Sequence, residues 1–421
     1  MNRLRSTTLA NGVTVYTYNN GAATLALGIA IRAGLRVEGE NESGMAHFLE
    51  HMLFKGTPTR TALQLMQEPE RRGTEINAYT DMHYTFYYQH GLPEQLAVNL
   101  ELLTDMVVNA TLPENEFLCE REVVLQEIAE SEDSPVDLCD TLLMSTVFAG
   151  QSGERHILGT TESISATTRQ MMLDFKQRLY TGNNMVVLAV GDVAHADVVA
   201  LAEQHLAQVP AGTAVNPTRL DFHKAVAVMT REEQKQVHVR VAIPIADGAL
   251  KDSFYMSMLS DVLSGGLSSP MFQEIREKLG LAYTIYTYTQ LHTDMGLFTV
   301  TCSTEPDKLP TLLKALAQML GRTDWIVSDE LDRSRAQLKF AAKRRISGSR
   351  SLMELLVSLL MSEGRMLSPE QYLDRIDATT IADMRRVARI YLKPNLATVV
   401  AVGPVTEDAL RTMWQEALAS I

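Results

Sequence analysis

The sequence predicts an α+β fold built twice: two homologous domains, each a mainly antiparallel sheet with helices packed on one face. Three observations predict it. Strand-like alternation and helix-like periodicity follow one another in the same order in both halves. The stretch "RLYTGNNMVVLAVGDV" from Arg178 matches "RIYLKPNLATVVAVGPV" from Arg389 in its Arg, Tyr, turn, apolar strand and Gly-x-Val. "NAYT" at Asn77 and "LAYT" at Leu281 match at a comparable offset, so the repeat is about 200 residues long.

The elements follow in order. "GVTVYTYNN" and "ATLALGIAIRAG" alternate as paired strands. From Gly44 the period turns helical. "GTEINAYTDMHYTFYYQHG" returns to strands rich in Tyr, Thr and Phe. Helices are expected over 93–109, 113–131 and 163–180, before the buried strand "NMVVLAVGDV". "QVPAGTAVNPTR", from Gln208 to Arg219, has two prolines and little periodicity, and reads as a linker. The expected domains are therefore 1–208 and 220–421, joined by 209–219. After the linker, "KAVAVMT" and "QVHVRVAIPIADG" are strands, and "SFYMSMLSDVL" and "PMFQEIREKL" are helical. "GLAYTIYTYTQL" and "MGLFTVTCST" are strands, helices run on from Pro306, and "ATVVAVGPV" closes the second sheet.

Bulk properties narrow the function. With 421 residues, 46% of them hydrophobic and 21% charged, the chain is globular and too long for one ordinary domain. A net charge of −13 disfavours general nucleic-acid binding and leaves room for a basic ligand. Cys119, Cys139 and Cys302 are far apart and form no CxxC. That argues against a disulfide framework and a thiolate metal site, and suits a reducing compartment. Two early arginines lack a following apolar region, and no run is long enough to span a membrane. A cytoplasmic location without membrane partners is the expectation.

One stretch is dense in chemistry: "GMAHFLEHMLFKGT", Gly44 to Thr57. On a helix, residues i and i+4 share a face, so His47 and His51 can point at one ion. The order H-x-x-E-H inverts the HExxH zinc motif, and Glu50 can lean towards the same site without being a ligand. A catalytic zinc needs a third protein ligand and an open position for water. Glu50 would then be the general base. The third ligand is not fixed by spacing. "NEFLCEREVVLQEIAESED" offers Glu120, Glu122, Glu127 and Glu130 on an acidic helix, with Glu120 and Glu127 two turns apart on one face. "SGGLSSP" is not a phosphate cradle.

"HFLEHMLFKGT", "INAYT", "EREVVLQEI" and "REKLGLAY" together resemble the pitrilysin family of zinc metallopeptidases. The resemblance covers nearly the whole chain. It is nearest to the half-length branch, that of the mitochondrial processing peptidase catalytic subunit and its bacterial relatives. It implies Zn2+ held by His47, His51 and Glu127, with Glu50 as base and Glu120 supporting a ligating imidazole. It implies that a substrate peptide adds to the strand of Asn77 and Ala78. The family more often has Glu where His83 stands; since the ligand set is complete without it, His83 is read as structural or substrate-facing. In the second half, where the repeat would place H-x-x-E-H, there is no histidine. Arg276 and Tyr283 there match a family pair that contacts substrate and stabilises the developing oxyanion. In a half-length chain that pair would serve the zinc of a partner subunit, implying a homodimer that cleaves peptides, or unfolded segments, in a chamber between subunits. The short "SGGLSSP" departs from the longer glycine-rich loop of presequence processing. The rival readings are a partner-dependent protease and a structural core-type subunit of a larger complex, the latter typically lacking zinc ligands.

Overall fold

A computed structural model describes residues 3–245, 249–291, 296–364 and 366–421. The expected strand ends at 246–248 and 295 lie outside them. In the first half, β1 (Leu4–Thr8), β2 (Thr14–Tyr18), β3 (Leu25–Ile31), β4 (Glu75–Thr80), β5 (Thr85–Gly91) and β6 (Met185–Val190) form one sheet in the order β1-β2-β6-β3-β5-β4. In the second, β7 (Val226–Thr230), β8 (Val237–Pro244), β9 (Ile285–Leu291), β10 (Gly296–Thr304) and β11 (Thr398–Gly403) form β7-β11-β8-β10-β9. The two orders are one plan, with β1 added outside the first. Both sheets are antiparallel except for one pair each, β2 with β6 and β7 with β11.

The first-half helices are α1 (Met45–Met52), α2 (Ala62–Arg71), α3 (Leu96–Asn109), α4 (Glu114–Asp133), α5 (Pro135–Val147), α6 (Thr161–Ala166), α7 (Arg169–Leu179) and α8 (His195–Leu206). The second half adds α9 (Ala249–Ser264), α10 (Leu309–Leu320), α11 (Ser328–Ile346), α12 (Ser349–Glu363), α13 (Pro369–Ala378), α14 (Ile381–Tyr391) and α15 (Glu407–Ala419). The single helix expected over 163–180 is two. Thr167 ends α6 in extended conformation, and the Thr168 side chain accepts the Met171 N–H to start α7 afresh.

The chain forms two compact units. Unit 1 is Met1–Glu130, Arg155–Thr218 and Lys343–Ser358; unit 2 is Ser131–Glu154, Arg219–Ala342 and Leu359–Ile421. Each is therefore completed by a segment from the other half of the sequence. The core of unit 1 gathers Val15, Leu27, Ile29, Leu103, Met106 and Val187; that of unit 2 gathers Val239, Val241, Leu259, Leu312, Leu316 and Val399. Alternation along β8 sends Val237, Val239, Val241 and Ile243 into this core. Arg240 points to the opposite face, where Asp140 of α5 accepts from its Nε at 2.6 Å and its Nη2 at 3.1 Å. So the sheet of unit 2 has a helix on its second face as well. Arg240 is only 1% exposed, and pairing is what makes a buried guanidinium tolerable. In unit 1 the segment from Lys343 works similarly. The Arg350 guanidinium donates to Tyr88 Oη at 2.9 Å and lies over that ring, while Ser349 Oγ donates to the Thr24 carbonyl at 2.5 Å. Among the described residues no helix is long and apolar enough to cross a membrane.

Candidate metal centre

Helix α1 starts without a cap of its own. Its first residue is preceded by Gly44 at φ +82°, where a Cβ would come within 2.6 Å of the Leu158 carbonyl oxygen. The cap is borrowed from the preceding loop. Glu38 Oε2 accepts from the Gly44 N–H at 3.1 Å and Oε1 from the Ala46 N–H at 2.9 Å. These amides have no partner within the helix, and a carboxylate suits the positive helix end. Burial nevertheless pushes the Glu38 carboxyl up to about 8, against the pull of the two amides. The apolar side of α1 buries Met45, Phe48, Leu49 and Met52, and Phe48 stacks on Phe117 of α4 at 5.0 Å. That contact sets α1 beside α4, whose seven-residue spacing puts Glu120 and Glu127 on one face.

There the predicted ligands meet. His47 Nε2 lies 3.6 Å from Glu127 Oε2, and His51 Nε2 lies 3.7 Å from the same oxygen. The donor atoms of the three residues all fall within 4.8 Å of one another. Zinc with bonds of about 2.0–2.1 Å in a tetrahedron needs donors about 3.4 Å apart. The two imidazoles and one carboxylate fit that ion in kind and spacing, and three protein donors leave a fourth position open. Burial, with His51 and His156 adding to it, pushes His47 down to about 3, so its imidazole is neutral and able to donate a lone pair. The Nδ1 of His51 is 2.9 Å from Glu120 Oε1, which directs Nε2 towards Glu127. Lys55 Nζ donates to the other Glu120 oxygen at 2.5 Å. Burial opposes charge on Glu120, but these two partners outweigh it and hold its carboxyl below the usual range. His83 does not join the group.

Glu50 is buried, and burial raises its carboxyl, with the Thr80 hydroxyl and His51 pulling the other way. Thr80 Oγ1 donates to Glu50 Oε2 at 2.6 Å. Sequence reasoning passed over Glu38, Lys55 and Thr80. The missing cap before Met45 is the one signal that asks for Glu38.

Asn77 and Ala78 lie on β4, which is the edge of its sheet. The Ala78 N–H donates to Asn77 Oδ1 at 2.8 Å, so this edge amide is held by its neighbour's side chain. In unit 2, Arg276 sits on a π-helical stretch, Phe272–Lys278, rather than the α-helix that periodicity suggests. Its guanidinium lies between the Phe272 ring at 4.6 Å and the Tyr283 ring at 4.3 Å, and Nη1 donates to the Tyr283 carbonyl at 2.8 Å. Tyr283 is 75% exposed. The pair borders a cavity of about 310 Å³ that Ser303, Glu305 and Lys308 also line.

Comparison with known proteins agrees with this layout. Residues 13–161 match the family model described as Insulinase (Peptidase family M16), and 166–338 match Peptidase M16 inactive domain. An uncharacterized zinc protease of Mycobacterium bovis is 32% identical over 409 residues, 95% of this chain and 93% of that one. The uncharacterized zinc protease YmxG of Bacillus subtilis is 28% identical, over 91% of this chain and 94% of that one. In fold, a protease from Helicobacter pylori matches with a TM-score of 0.88 at 24% identity, covering 96% of this chain and all of that one. The periplasmic protease PqqL from Escherichia coli matches at 0.78 and 20% identity, covering 99% of this chain and 50% of that one. Homology over nearly the full length, on top of the motif order, means that the chain belongs to peptidase family M16, the pitrilysin-type metallopeptidases that its sequence resembles.

Proposed function

We propose that the protein is a zinc-dependent endopeptidase acting on peptides or unfolded segments. The observation that carries this reading is the convergence of His47, His51 and Glu127 on one point, with Glu50 between the two histidines on the same helix. These three residues would hold the ion. When bound, zinc supplies Lewis acidity and lowers the pKa of water towards neutrality. Glu50 takes a proton from the attacking water. It then delivers that proton to the amide nitrogen as the carbon–nitrogen bond breaks. Glu120 holds the His51 ring in orientation through Nδ1. The free edge of β4 would receive the peptide as an added strand, with Asn77 exchanging its bond to the Ala78 N–H for one to substrate. Main-chain pairing of this sort accepts many sequences, and the acidic balance of the chain favours basic ones.

Arg276 and Tyr283 belong to unit 2, whereas the metal group belongs to unit 1. In our reading they hold substrate and stabilise the oxyanion across a homodimer interface, enclosing a chamber between subunits. Their stacked arrangement, with the Tyr283 ring exposed, supports a substrate-facing role.

The test is incubation of the purified, zinc-loaded chain with a mixture of unstructured peptides, with products read by mass spectrometry. Internal cuts are expected, lost on chelation and lost in Glu50→Gln. A zinc-loaded dimer that makes no cut overturns the self-sufficient peptidase and leaves a partner-dependent or structural subunit.

A further inference from the structure

We propose that Thr80 is a positioning residue for the general base: it fixes Glu50 Oε2, leaves Oε1 as the oxygen that handles the proton, and ties the base to the strand that receives the peptide. The inference rests on the peptidase reading above.

The hydrogen-bond arithmetic assigns the donor. A threonine hydroxyl has one hydrogen. Thr85 Oγ1 spends its own on the Ala33 carbonyl at 2.7 Å. Thr80 Oγ1 lies 3.4 Å from Thr85 Oγ1 and 2.6 Å from Glu50 Oε2, so its hydrogen goes to the carboxylate. Short contacts of this kind are the charge-assisted ones. Among the described residues no other hydrogen bond to either Glu50 oxygen is present, and the side chain is buried, where a lone donor counts for more than in water. Without it the carboxylate is free to turn about its last torsion, which is broad. With it, one oxygen is anchored and the other is left for chemistry.

The position of Thr80 in the chain adds a second role. It is the last residue of β4, two residues from Ala78 and three from Asn77. A strand is stiff over that distance. The edge that pairs with the peptide and the hydroxyl that orients the base are therefore parts of one element. Thr85, which directly opposes Thr80 on β5, fixes that strand end against the body of the sheet.

Four proteins test this: the unchanged chain, Thr80→Val, Thr80→Ser and Glu50→Gln. Valine keeps the shape and removes the hydroxyl. The readouts are zinc stoichiometry and competition with a chelator, Tm, kcat and KM on the peptide cut fastest in the mixture above, and a crystal structure of Thr80→Val. The expectation is unchanged zinc binding and Tm in Thr80→Val, KM within about twofold, and kcat down about 10- to 100-fold. Thr80→Ser should return most of the loss, and the Glu50 carboxylate should take more than one orientation in Thr80→Val. Loss of zinc or a large fall in Tm in Thr80→Val means a structural role and overturns the proposal. So does unchanged kcat, failure of serine to rescue, or a carboxylate that stays in place. Activity in Glu50→Gln, or none in the unchanged chain, sinks the peptidase reading itself, a result distinct from full activity of Thr80→Val beside a dead Glu50→Gln.

Discussion

Helices α1 and α9 occupy the same place in the two repeats, between the strands β3 and β4 in one and β8 and β9 in the other. Each lies against a carboxylate, Asp252 on α9 itself and Glu127 of α4 beside α1, but the partners of the two differ. On α9, Asp252 receives both Arg386 nitrogens, at 2.7 and 3.0 Å, and the Tyr391 hydroxyl at 3.0 Å. The Arg386 hydrogen bonds hold its carboxyl below the usual range, and the charge is settled within the protein. Beside α1, Glu127 of α4 faces two imidazoles among the described residues, one of them kept neutral by burial. The same scaffold thus closes its charge in one repeat and leaves it open to a cation in the other. A duplicated fold loses or keeps a metal site through a few side chains, without altering strand order.

If unit 2 retains a part in the reaction despite lacking the metal group, removing the Tyr283 hydroxyl should be the most damaging change there. Tyr283→Phe is expected to lower kcat by about 100-fold with zinc content and KM nearly unchanged, as steady-state kinetics and metal analysis would read. A fully active variant would reduce unit 2 to scaffold. Within unit 1, Glu120→Gln separates the ligands from their support. It should weaken zinc affinity about 10- to 100-fold, measured by chelator competition, while the fold stays intact.

A smaller effect concerns the borrowed cap. Glu38 has a folded value of about 8 against an ordinary value of 4.5. Its folded value is raised, so its contribution to stability is complete below about pH 4.5 and is lost as the pH rises through about 8. The slope is about 1.4 kcal/mol per pH unit at most, because a single proton is exchanged. Melting curves between pH 5 and 9 should show this decline, and Glu38→Gln should flatten it. An equal slope in both proteins would mean that Glu38 is ionised throughout.

Much of the metal centre was readable because its logic is local. His47, Glu50 and His51 lie within one helical turn and a residue, where spacing dictates facing. Glu127 needed the family resemblance, since α4 carries several acids and two of them, Glu120 and Glu127, share a face. The repeat was readable because both copies keep their strand patterns. Other features depend on distant partners. Glu38 is a loop carboxylate with no periodic neighbour. Thr80 looks like any strand threonine until β4 is laid beside α1. The extra residue per turn around Arg276 leaves no mark in a sequence whose apolar spacing already suits a helix. Arg240 and Asp140 lie 100 residues apart, so the helix on the second face of that sheet could not be foreseen.

The exchange of segments between the halves has a consequence for how the protein is made. A ribosome releases residues in order, and a chain that has just delivered Glu127 already possesses all three residues of the candidate metal group. It does not yet possess Lys343–Ser358, the last piece of unit 1, from which Ser349 and Arg350 reach Thr24 and Tyr88. More than 200 further residues must emerge before that unit is whole, by which time most of unit 2 has been synthesised too. The unit with the candidate metal group therefore matures late, nearly in step with the other unit, and a truncated product of translation would bear His47, His51 and Glu127 without the finished domain around them.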